Sequence, residues 1–133
     1  MAVLVTGSRF DVEEEPDREA YVMDTLLRAI PAGEIVLVGD ARGVDALTWS
    51  TLHGRNQVVI FAAKWKSHGS DCWCTDRSEG STCKYAGKRR NRVMLDQRPE
   101  RVISLWDGRS PGTKDTVTEA EKRGIPVERY RLP

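Results

Sequence analysis

The amino-acid sequence predicts an α/β fold, a Rossmann-like three-layer domain whose five-stranded, mainly parallel sheet has helices on both sides. Two observations predict it. Short continuous apolar runs, which are typical of strands buried on both faces, alternate with segments of helical periodicity. Three of the first four runs end in glycine-containing loops that lead into helices. Because strands that alternate with helices form parallel sheets with right-handed crossovers, we expect the strand order 3-2-1-4-5.

The first half of the chain contains three predicted strands and two predicted helices. A buried strand at Val3–Thr6 is followed by a helix from Pro16 to about Ile30, where proline suits the first helical turn. The second strand is Ile35–Val38, and a helix from about Val44 to His53 follows it. Val58–Phe61 is the third strand.

The second half of the chain begins with a polar stretch from about residue 64 to 85, which has no clear period and is predicted to be a loop or an insertion. A short helix is expected at Arg89–Gln97, and a fourth strand at Arg101–Trp106. A helix at Thr113–Arg123 and an edge-like strand at Pro126–Tyr130 complete the pattern.

Length and composition indicate one globular domain, residues 1–133, with an insertion at about residues 66–86. The net charge of +1 gives no global basic excess of the kind that drives non-specific nucleic-acid binding. No apolar run approaches the length of a membrane span, so we expect no membrane association. The N-terminus lacks the basic and long apolar regions of a signal peptide, which favours a cytoplasmic location.

Three loops at the predicted carboxyl edge of the sheet carry the residues of an anion-binding site. They are Gly7-Ser8-Arg9, Gly39-Asp40-Ala41-Arg42-Gly43-Val44-Asp45 and Asp107-Gly108-Arg109-Ser110-Pro111-Gly112-Thr113. Glycine lets backbone amides approach a ligand, and helix N-termini present free N–H groups. Open parallel sheets bind ligands at this edge, where the strand order reverses. We therefore predict a nucleotide or another phosphorylated ligand between the first and third loops.

The side chains of these loops have separate predicted roles. The Ser110–Thr113 segment forms a phosphate cradle, and Arg9 and Arg42 add charge-assisted hydrogen bonds. Three carboxylates can accept hydrogen bonds from ribose hydroxyls or a base, namely Asp40, Asp45 and Asp107. Asp45 could equally cap the second helix. The alternative for any one loop is a tight strand-to-helix turn that holds no ligand.

A basic cluster, Gly87-Lys88-Arg89-Arg90-Asn91-Arg92, stands at the start of the predicted third helix. Cations at a helix N-terminus are unfavourable for the helix dipole, and a bound anion would resolve the conflict. The alternative is a solvated basic surface.

In this order, the glycine loops resemble the SLOG superfamily, and most closely its small YspA-like branch. The resemblance rests on the first two loops, on Ala86-Gly87 with Arg90-Asn91, and on Asp107-Gly108 with Pro111-Gly112-Thr113. It covers nearly the whole chain except about His68–Lys84. It implies a Rossmann-like fold that binds a nucleotide-like small molecule as a sensor or processing domain, in a homodimer or higher oligomer.

Relatives within that superfamily suggest two alternatives. The LONELY GUY phosphoribohydrolases cleave nucleoside monophosphates, and the DNA-processing protein A family binds single-stranded DNA. The hydrolases carry a catalytic glutamate where this chain has Thr116. A nucleotide N-glycosidase would therefore need another carboxylate, for which the candidates are Asp40, Asp45 and Asp115. A single-stranded nucleic-acid module would instead depend on Lys88, Arg89 and Arg90.

The predicted insertion contains a histidine and three cysteines, His68, Cys72, Cys74 and Cys83. Together they form a complete donor set for a structural zinc ion, which would order a loop that lacks a core. The single residue between Cys72 and Cys74 is shorter than the usual zinc spacing, and Asp71 or Asp76 could substitute as ligands. Reduced cysteines or a Cys74–Cys83 disulfide are the alternatives. The same segment could cover the ligand, with Trp65 and Trp73 either stacked on a base or packed on the domain.

Overall fold

The computed structural model describes residues 1–133, in which strands and helices alternate strictly along the chain. The strands are β1 (Ala2–Gly7), β2 (Ile35–Gly39), β3 (Val58–Phe61), β4 (Arg101–Trp106) and β5 (Val127–Arg131). The helices are α1 (Pro16–Ala29), α2 (Val44–Leu52), α3 (Ala86–Asp96) and α4 (Pro111–Lys122).

The five strands form one sheet in the order β3-β2-β1-β4-β5, and every neighbouring pair is parallel. The predicted fold class and strand order are therefore confirmed. The order reverses between β1 and β4, where Gly7 is level with Leu105 and the Ser8 N–H donates to the Leu105 carbonyl at 3.0 Å. This reversal opens the crevice in which ligands of such sheets bind.

Both faces of the sheet are covered, which explains the uninterrupted apolar runs. Val3 and Val5 of β1 point to the face that α1 and α2 cover, where Val22 and Leu26 are among the buried residues. Leu4 points to the opposite face and packs in the cluster that includes α3 and α4. Successive strand residues face opposite ways, so a strand buried on both sides must be apolar at every position.

Two helices begin earlier than the sequence predicts. The third helix starts at Ala86 rather than Arg89, and the fourth at Pro111 rather than Thr113. Proline at the first helical position loses no hydrogen bond, because that N–H has no partner within the helix. The basic cluster therefore lies inside the first two turns of α3. No helix in the structure has both the length and the apolar character that a membrane crossing requires.

Residues 62–85 form no helix or strand, as the irregular sequence predicts. We call residues 64–85 the cysteine segment. Its buried side chains are small, since the local cluster contains only Ala63, Ala86 and the three cysteines, with Tyr85 packed against it. This part of the chain therefore has little apolar core of its own.

Candidate functional site

A crevice of about 310 Å³ opens at the carboxyl edge of the sheet. Its volume is at the lower end of the range for small-molecule sites. Side chains of four chain regions surround it: the end of β1, the loop before α2, the ends of the cysteine segment with α3, and the start of α4. They are Thr6, Gly7, Arg9, Ala41, Asp45, Trp65, Lys84, Gly87, Lys88, Arg90, Asn91, Ser110, Pro111, Gly112, Thr113 and Asp115.

The N-terminus of α4 forms one wall of the crevice and has free hydrogen-bond donors. Ser110 at the cap position makes no side-chain hydrogen bond to the first turn. Thr113 is 2% exposed, and its Oγ1 has no hydrogen-bond partner. An unpartnered buried hydroxyl is costly, and helix N-termini attract anions through their free N–H groups and dipole. At Gly112, no atom lies within 4 Å of the position that a Cβ would take.

Arg90 provides the most buried positive charge of the crevice, with a side chain only 9% exposed. Its Nη1 donates to Asp40 Oδ1 at 2.9 Å and to the Phe61 carbonyl at 3.2 Å. The guanidinium packs directly against Gly39, where a Cβ would collide with it. The absence of a side chain at Gly39 therefore leaves room for the Arg90 guanidinium.

Asp45 is a buried carboxylate at the base of the crevice. Its Oδ2 accepts a hydrogen bond from the Ala41 N–H at 3.1 Å, so it braces the loop before α2 and does not cap the helix. Burial raises the pKa of Asp45 to about 6, although the Ala41 N–H and the Arg90 charge oppose the change. A carboxyl group with this pKa exchanges its proton close to neutral pH.

Asn91 and Asp115 join α3 to α4 at the far side of the crevice. The buried Asn91 amide donates to Asp115 Oδ2 at 3.2 Å and to the Gly112 carbonyl at 3.4 Å. Arg92 lies 3.6 Å from the same carboxylate. Thr116, which stands where the resemblance to the hydrolases predicts a glutamate, is buried and donates to the Gly112 carbonyl at 3.2 Å. Its side chain is thus engaged within its own helix.

Several residues that the sequence predicts as ligand contacts do not line the crevice. The Ser8 hydroxyl accepts from the Asp107 N–H at 2.9 Å. Asp107 in turn accepts from the N–H groups of Arg109 and Ser110 at 2.8 and 3.2 Å. Partial burial works against the charged form, but these N–H groups and the Ser8 hydroxyl outweigh it and lower the pKa of Asp107. The residues that lie outside the crevice are Ser8, Gly39, Asp40, Arg42, Gly43, Asp107 and Gly108.

The structure adds Lys84, which was not predicted to contact a ligand, and it brings to the crevice Trp65 and Lys88, which the sequence offered only as alternatives. Lys84 and Trp65 reach the crevice from the two ends of the cysteine segment, and Lys88 reaches it from α3. Four cationic side chains, Arg9, Lys84, Lys88 and Arg90, thereby face two carboxylates, Asp45 and Asp115. The crevice is locally basic although the chain is nearly neutral. The one available sequence signal was that the insertion ends immediately before Gly87.

The donor atoms of His68, Cys72, Cys74 and Cys83 lie within 4.8 Å of one another, and the four residues could hold a metal ion. The three cysteines are buried and free, with no Cys74–Cys83 disulfide. Hydrogen bonding by the Cys74 backbone N–H, with smaller contributions from the His68 ring and Gly69, lowers the pKa of Cys72 to about 6. We call these four residues the Cys3His cluster.

The two alternative ligands, Asp71 and Asp76, are engaged elsewhere. Both oxygens of Asp71 pair with Arg89 at 2.5 and 2.8 Å. Asp76 accepts from the Ser78 N–H at 3.0 Å and from its hydroxyl at 2.5 Å. The cluster of donors is therefore the thiol and imidazole set alone.

The sheet order and the position of the crevice define a Rossmann-like α/β protein. No protein-family model matches the sequence. The chain is 32% identical over 131 residues to the Gene 61 protein of Mycobacterium phage D29, a match that covers 94% of this chain and 92% of that protein. The chain belongs to the family of this phage protein.

Two solved structures of DNA processing protein A share the fold. The Helicobacter pylori protein, whose single-stranded DNA binding mode has been described, superposes with a TM-score of 0.60 at 15% identity over 97% of this chain. The Streptococcus pneumoniae protein gives 0.63 at 16% identity over 96% of this chain. The chain spans 64% and 49% of these proteins, respectively. At this identity the likeness concerns the fold.

Proposed function

We propose that the chain binds single-stranded nucleic acid and that a backbone phosphate lies in the crevice, on the N-terminus of α4. The observation that carries the proposal is the buried, unpartnered Thr113 hydroxyl beside the uncapped first turn of α4. A phosphate oxygen there accepts from this hydroxyl and from the free N–H groups, while Arg9 supplies charge from the β1 side.

A strand of nucleic acid needs more than one phosphate site, and the surroundings of the crevice provide it. Non-specific single-strand binders combine a basic groove with aromatic side chains on which bases stack. Here Lys84 and Lys88 stand beside Trp65, which is 38% exposed. Trp73, on the same segment, is 83% exposed but lies outside the crevice, so Trp65 is the tryptophan placed to stack on a base there. The fold likeness to DNA processing protein A, whose Helicobacter pylori member binds single-stranded DNA, supports this function over a free nucleotide.

The test compares two valine variants that each remove one buried, unpartnered hydroxyl. Thr113 lines the crevice, whereas Thr51 has the same unpartnered Oγ1 on α2 and lies outside the crevice. Binding of a fluorescent oligo-dT is measured by anisotropy. We expect Thr113→Val to weaken binding about tenfold, the loss of one hydrogen bond to a charged group, and Thr51→Val to leave it unchanged.

Salt dependence provides the second measurement. If three phosphates are neutralised, the affinity falls roughly twentyfold between about 50 and 200 mM salt. Lys88→Ala lowers that slope, whereas Lys122→Ala, an exposed charge at the other end of α4, does not. Absence of binding at about 100 μM protein, or equal effects of the two lysine variants, would contradict the proposal.

A free nucleotide-like ligand is the second candidate, because the crevice volume of about 310 Å³ suits one nucleotide better than an extended strand. Binding of such a ligand is the function that the resemblance to the YspA-like branch of the SLOG superfamily implies, as a sensor or processing domain. Titration calorimetry with nucleoside monophosphates separates the candidates, since tight binding of a monophosphate with no gain for oligo-dT favours the small molecule.

An N-glycosidase activity on the same ligand would use Asp45, whose pKa burial raises to about 6, or Asp115. Asp40 is less suited because it lies outside the crevice and pairs with Arg90. Release of free base from nucleoside monophosphates, followed by chromatography, tests this activity. Loss of release in Asp45→Asn, but not in Asp40→Asn, is the expected result for an enzyme.

For the Cys3His cluster, the metal that we propose is zinc. Three thiolates and one imidazole are the donor set of structural zinc sites, which leave no open position for a substrate. Two guanidinium groups lie near the sulfurs: Arg77 Nη1 is 2.7 Å from Cys72 Sγ, and Arg89 Nη2 is 3.7 Å from Cys83 Sγ. These charges suit three thiolates. One zinc per chain, and thiolate-to-cobalt absorption after Co²⁺ substitution, are the expected observations, and Cys83→Ser abolishes both.

We also propose that residues 1–133 act as one cytoplasmic domain and form a homo-oligomer. The open edge of the sheet at β3 supports an oligomer, because Ile60 there is 48% exposed and Trp49 on the adjoining α2 is 44% exposed. Light scattering coupled to size exclusion measures the mass, and Ile60→Lys is expected to shift an oligomer towards monomer.

A further inference from the structure

The cysteine segment closes on itself beside the crevice. The Cys83 N–H donates to the Trp65 carbonyl at 2.5 Å, which joins the two ends of the segment. The Lys84 N–H donates to Cys74 Sγ at 3.3 Å. Each residue that reaches the crevice from this segment is therefore hydrogen-bonded to a member of the Cys3His cluster.

Arg89 fastens the same segment to α3. Its Nε and Nη2 pair with Asp71 at 2.8 and 2.5 Å, and its Nη1 donates to the Ser67 carbonyl at 3.1 Å. Its Nη2 also lies 3.7 Å from Cys83 Sγ. The bidentate pairing fixes both partners more firmly than a single contact. Arg89 thus connects the Cys3His cluster with the helix that supplies Lys88 and Arg90 to the crevice.

Contacts with Gly87 and Arg9 fix the position of the Trp65 ring on the crevice wall. Its ring edge packs on Gly87, where a Cβ would lie 3.2 Å from Trp65 Cη2. The Arg9 guanidinium stands over the ring, 5.6 Å from its centroid. An indole beside a guanidinium suits a nucleotide, because the base stacks on the ring while the cation attracts the phosphate.

We infer that Trp65 is the base-stacking residue of the crevice and that the metal-loaded Cys3His cluster holds it there, so metal occupancy controls affinity for nucleic acid. The inference rests on two proposals made above, the binding of single-stranded nucleic acid and the zinc site. The buried side chains of this segment are the three cysteines, which pack only with the flanking Ala63 and Ala86, so the segment gains its order from the bound ion. Zinc is then a structural ion. It does not touch the nucleic acid, but it determines the affinity of the crevice for nucleic acid because it holds Trp65 in place.

The test is a cycle of metal content and stacking. Wild type and Trp65→Ala, each zinc-loaded or zinc-stripped, are compared for oligo-dT affinity, with zinc counted by native mass spectrometry. A stacked base contributes roughly five- to 150-fold in affinity. We expect either change alone to weaken binding by at least about fivefold and the two together to do little more. Trp65→Phe, which keeps an aromatic face, restores most of the affinity, and Trp73→Ala is the matched control from the same segment.

Removal of zinc could unfold the whole cysteine segment and not only the part at the crevice. The variant Arg89→Met tests the inference without removing zinc. This change removes the link to α3 and keeps all four metal ligands, although it also removes the 3.7 Å contact of Arg89 Nη2 with Cys83 Sγ. Zinc content stays at one per chain while affinity falls as in Trp65→Ala, and the double variant is no weaker than either single variant.

The outcomes separate this inference from the proposed function. If Trp65→Ala and stripping leave affinity unchanged while Thr113→Val still weakens it, the inference is wrong and the proposed function stands. A chain that takes up no zinc also overturns the inference. If the loaded protein binds no oligo-dT at all, both are wrong.

Discussion

The Ser8 hydroxyl accepts a hydrogen bond from the Asp107 N–H at 2.9 Å, and this contact joins the two loops on either side of the strand-order reversal. Ser8 is fully buried and Asp107 is partly buried. The contact therefore fixes the spacing between the loop that follows β1 and the one that leads into α4. Ser8 lies outside the crevice and has a structural role in holding these two loops together.

Ser8→Ala is expected to lower the free energy of unfolding by about 1 to 3 kcal/mol, because it leaves the Asp107 N–H without its partner. Urea denaturation measures the change. Ser50→Ala is the matched control, since its hydroxyl bonds only to the Leu47 carbonyl of its own helix and is exposed. Equal losses for the two variants would mean that the link between the loops contributes nothing particular.

Asp45 makes the stability of the fold depend on pH in an unusual direction. Burial raises its pKa to about 6 from a usual value of 3.8, so between these two values the folded chain binds more protons than the unfolded chain. The free energy of unfolding therefore rises as pH falls from about 7 towards 4. Above about pH 6 the buried Asp45 carboxylate is charged, and this charge destabilises the fold. A shift of about two units corresponds to about 3 kcal/mol.

Asp45→Asn removes this dependence while an oxygen remains to accept from the Ala41 N–H. We expect the variant to be more stable than wild type near pH 7.5 and the difference to shrink as pH falls below 6. Asp24→Asn, an exposed carboxylate paired with Arg28 on α1, corrects for the loss of one charge. Denaturant curves at several pH values provide the comparison, and a pH-independent difference contradicts the assignment.

Zinc removal should expose the cysteine segment to trypsin without unfolding the sheet. Lys66 and Arg77 are exposed residues of this segment, and Arg77 bonds to Cys72 and to the Gly69 carbonyl. We expect slow cleavage of the loaded protein and at least tenfold faster cleavage after chelation, because proteolysis follows the population of the open form. Fragment masses locate the cuts. Cleavage at Arg28 within α1 at the same rate would instead indicate global unfolding.

The strands were predictable because each of the three central strands, β2, β1 and β4, is buried on both faces and carries a largely apolar run, and the edge strand β3 is apolar as well. The bounds of β3 and β4 agree with the apolar runs at Val58–Phe61 and Arg101–Trp106 residue for residue. The start of α3 was not, because Gly87 and Lys88 are poor local signals for a helix. What permits them there is tertiary: the Trp65 ring packs on Gly87, a contact with no trace in the local sequence.

The residues of the crevice could be predicted from sequence only where the position of the backbone determines whether a residue lines it. Gly7, Arg9 and the Ser110–Thr113 segment lie at the crevice because strand ends determine where their loops lie. Whether a loop side chain points inward depends on loop conformation, which is why Arg42 is outside the crevice. Lys84 could not be assigned from sequence, since the fold of the cysteine segment brings it there.

A substitution at Gly112 can distinguish an effect on nucleic-acid binding from an effect on the stability of the fold. Nothing lies within 4 Å of the position of a Cβ at this residue, and its place in the first turn of α4 is helical. Gly112→Ala should therefore leave stability unchanged or raise it by up to about 1 kcal/mol, since alanine is the better helix residue. The same methyl group would occupy the approach to the α4 N-terminus, and we expect the oligo-dT affinity to fall at least about tenfold.

Gly54→Ala is the matched control for this change, because its Cβ would also face open space but lies outside the crevice. Thermal unfolding and anisotropy are measured on the same samples. A Gly112→Ala protein that binds as wild type does would mean that no phosphate contacts the first turn of α4. A protein that loses binding and stability together would point to a packing defect instead. Lost affinity with unchanged or raised stability, a combination absent in Gly54→Ala, supports an anion site at this helix start.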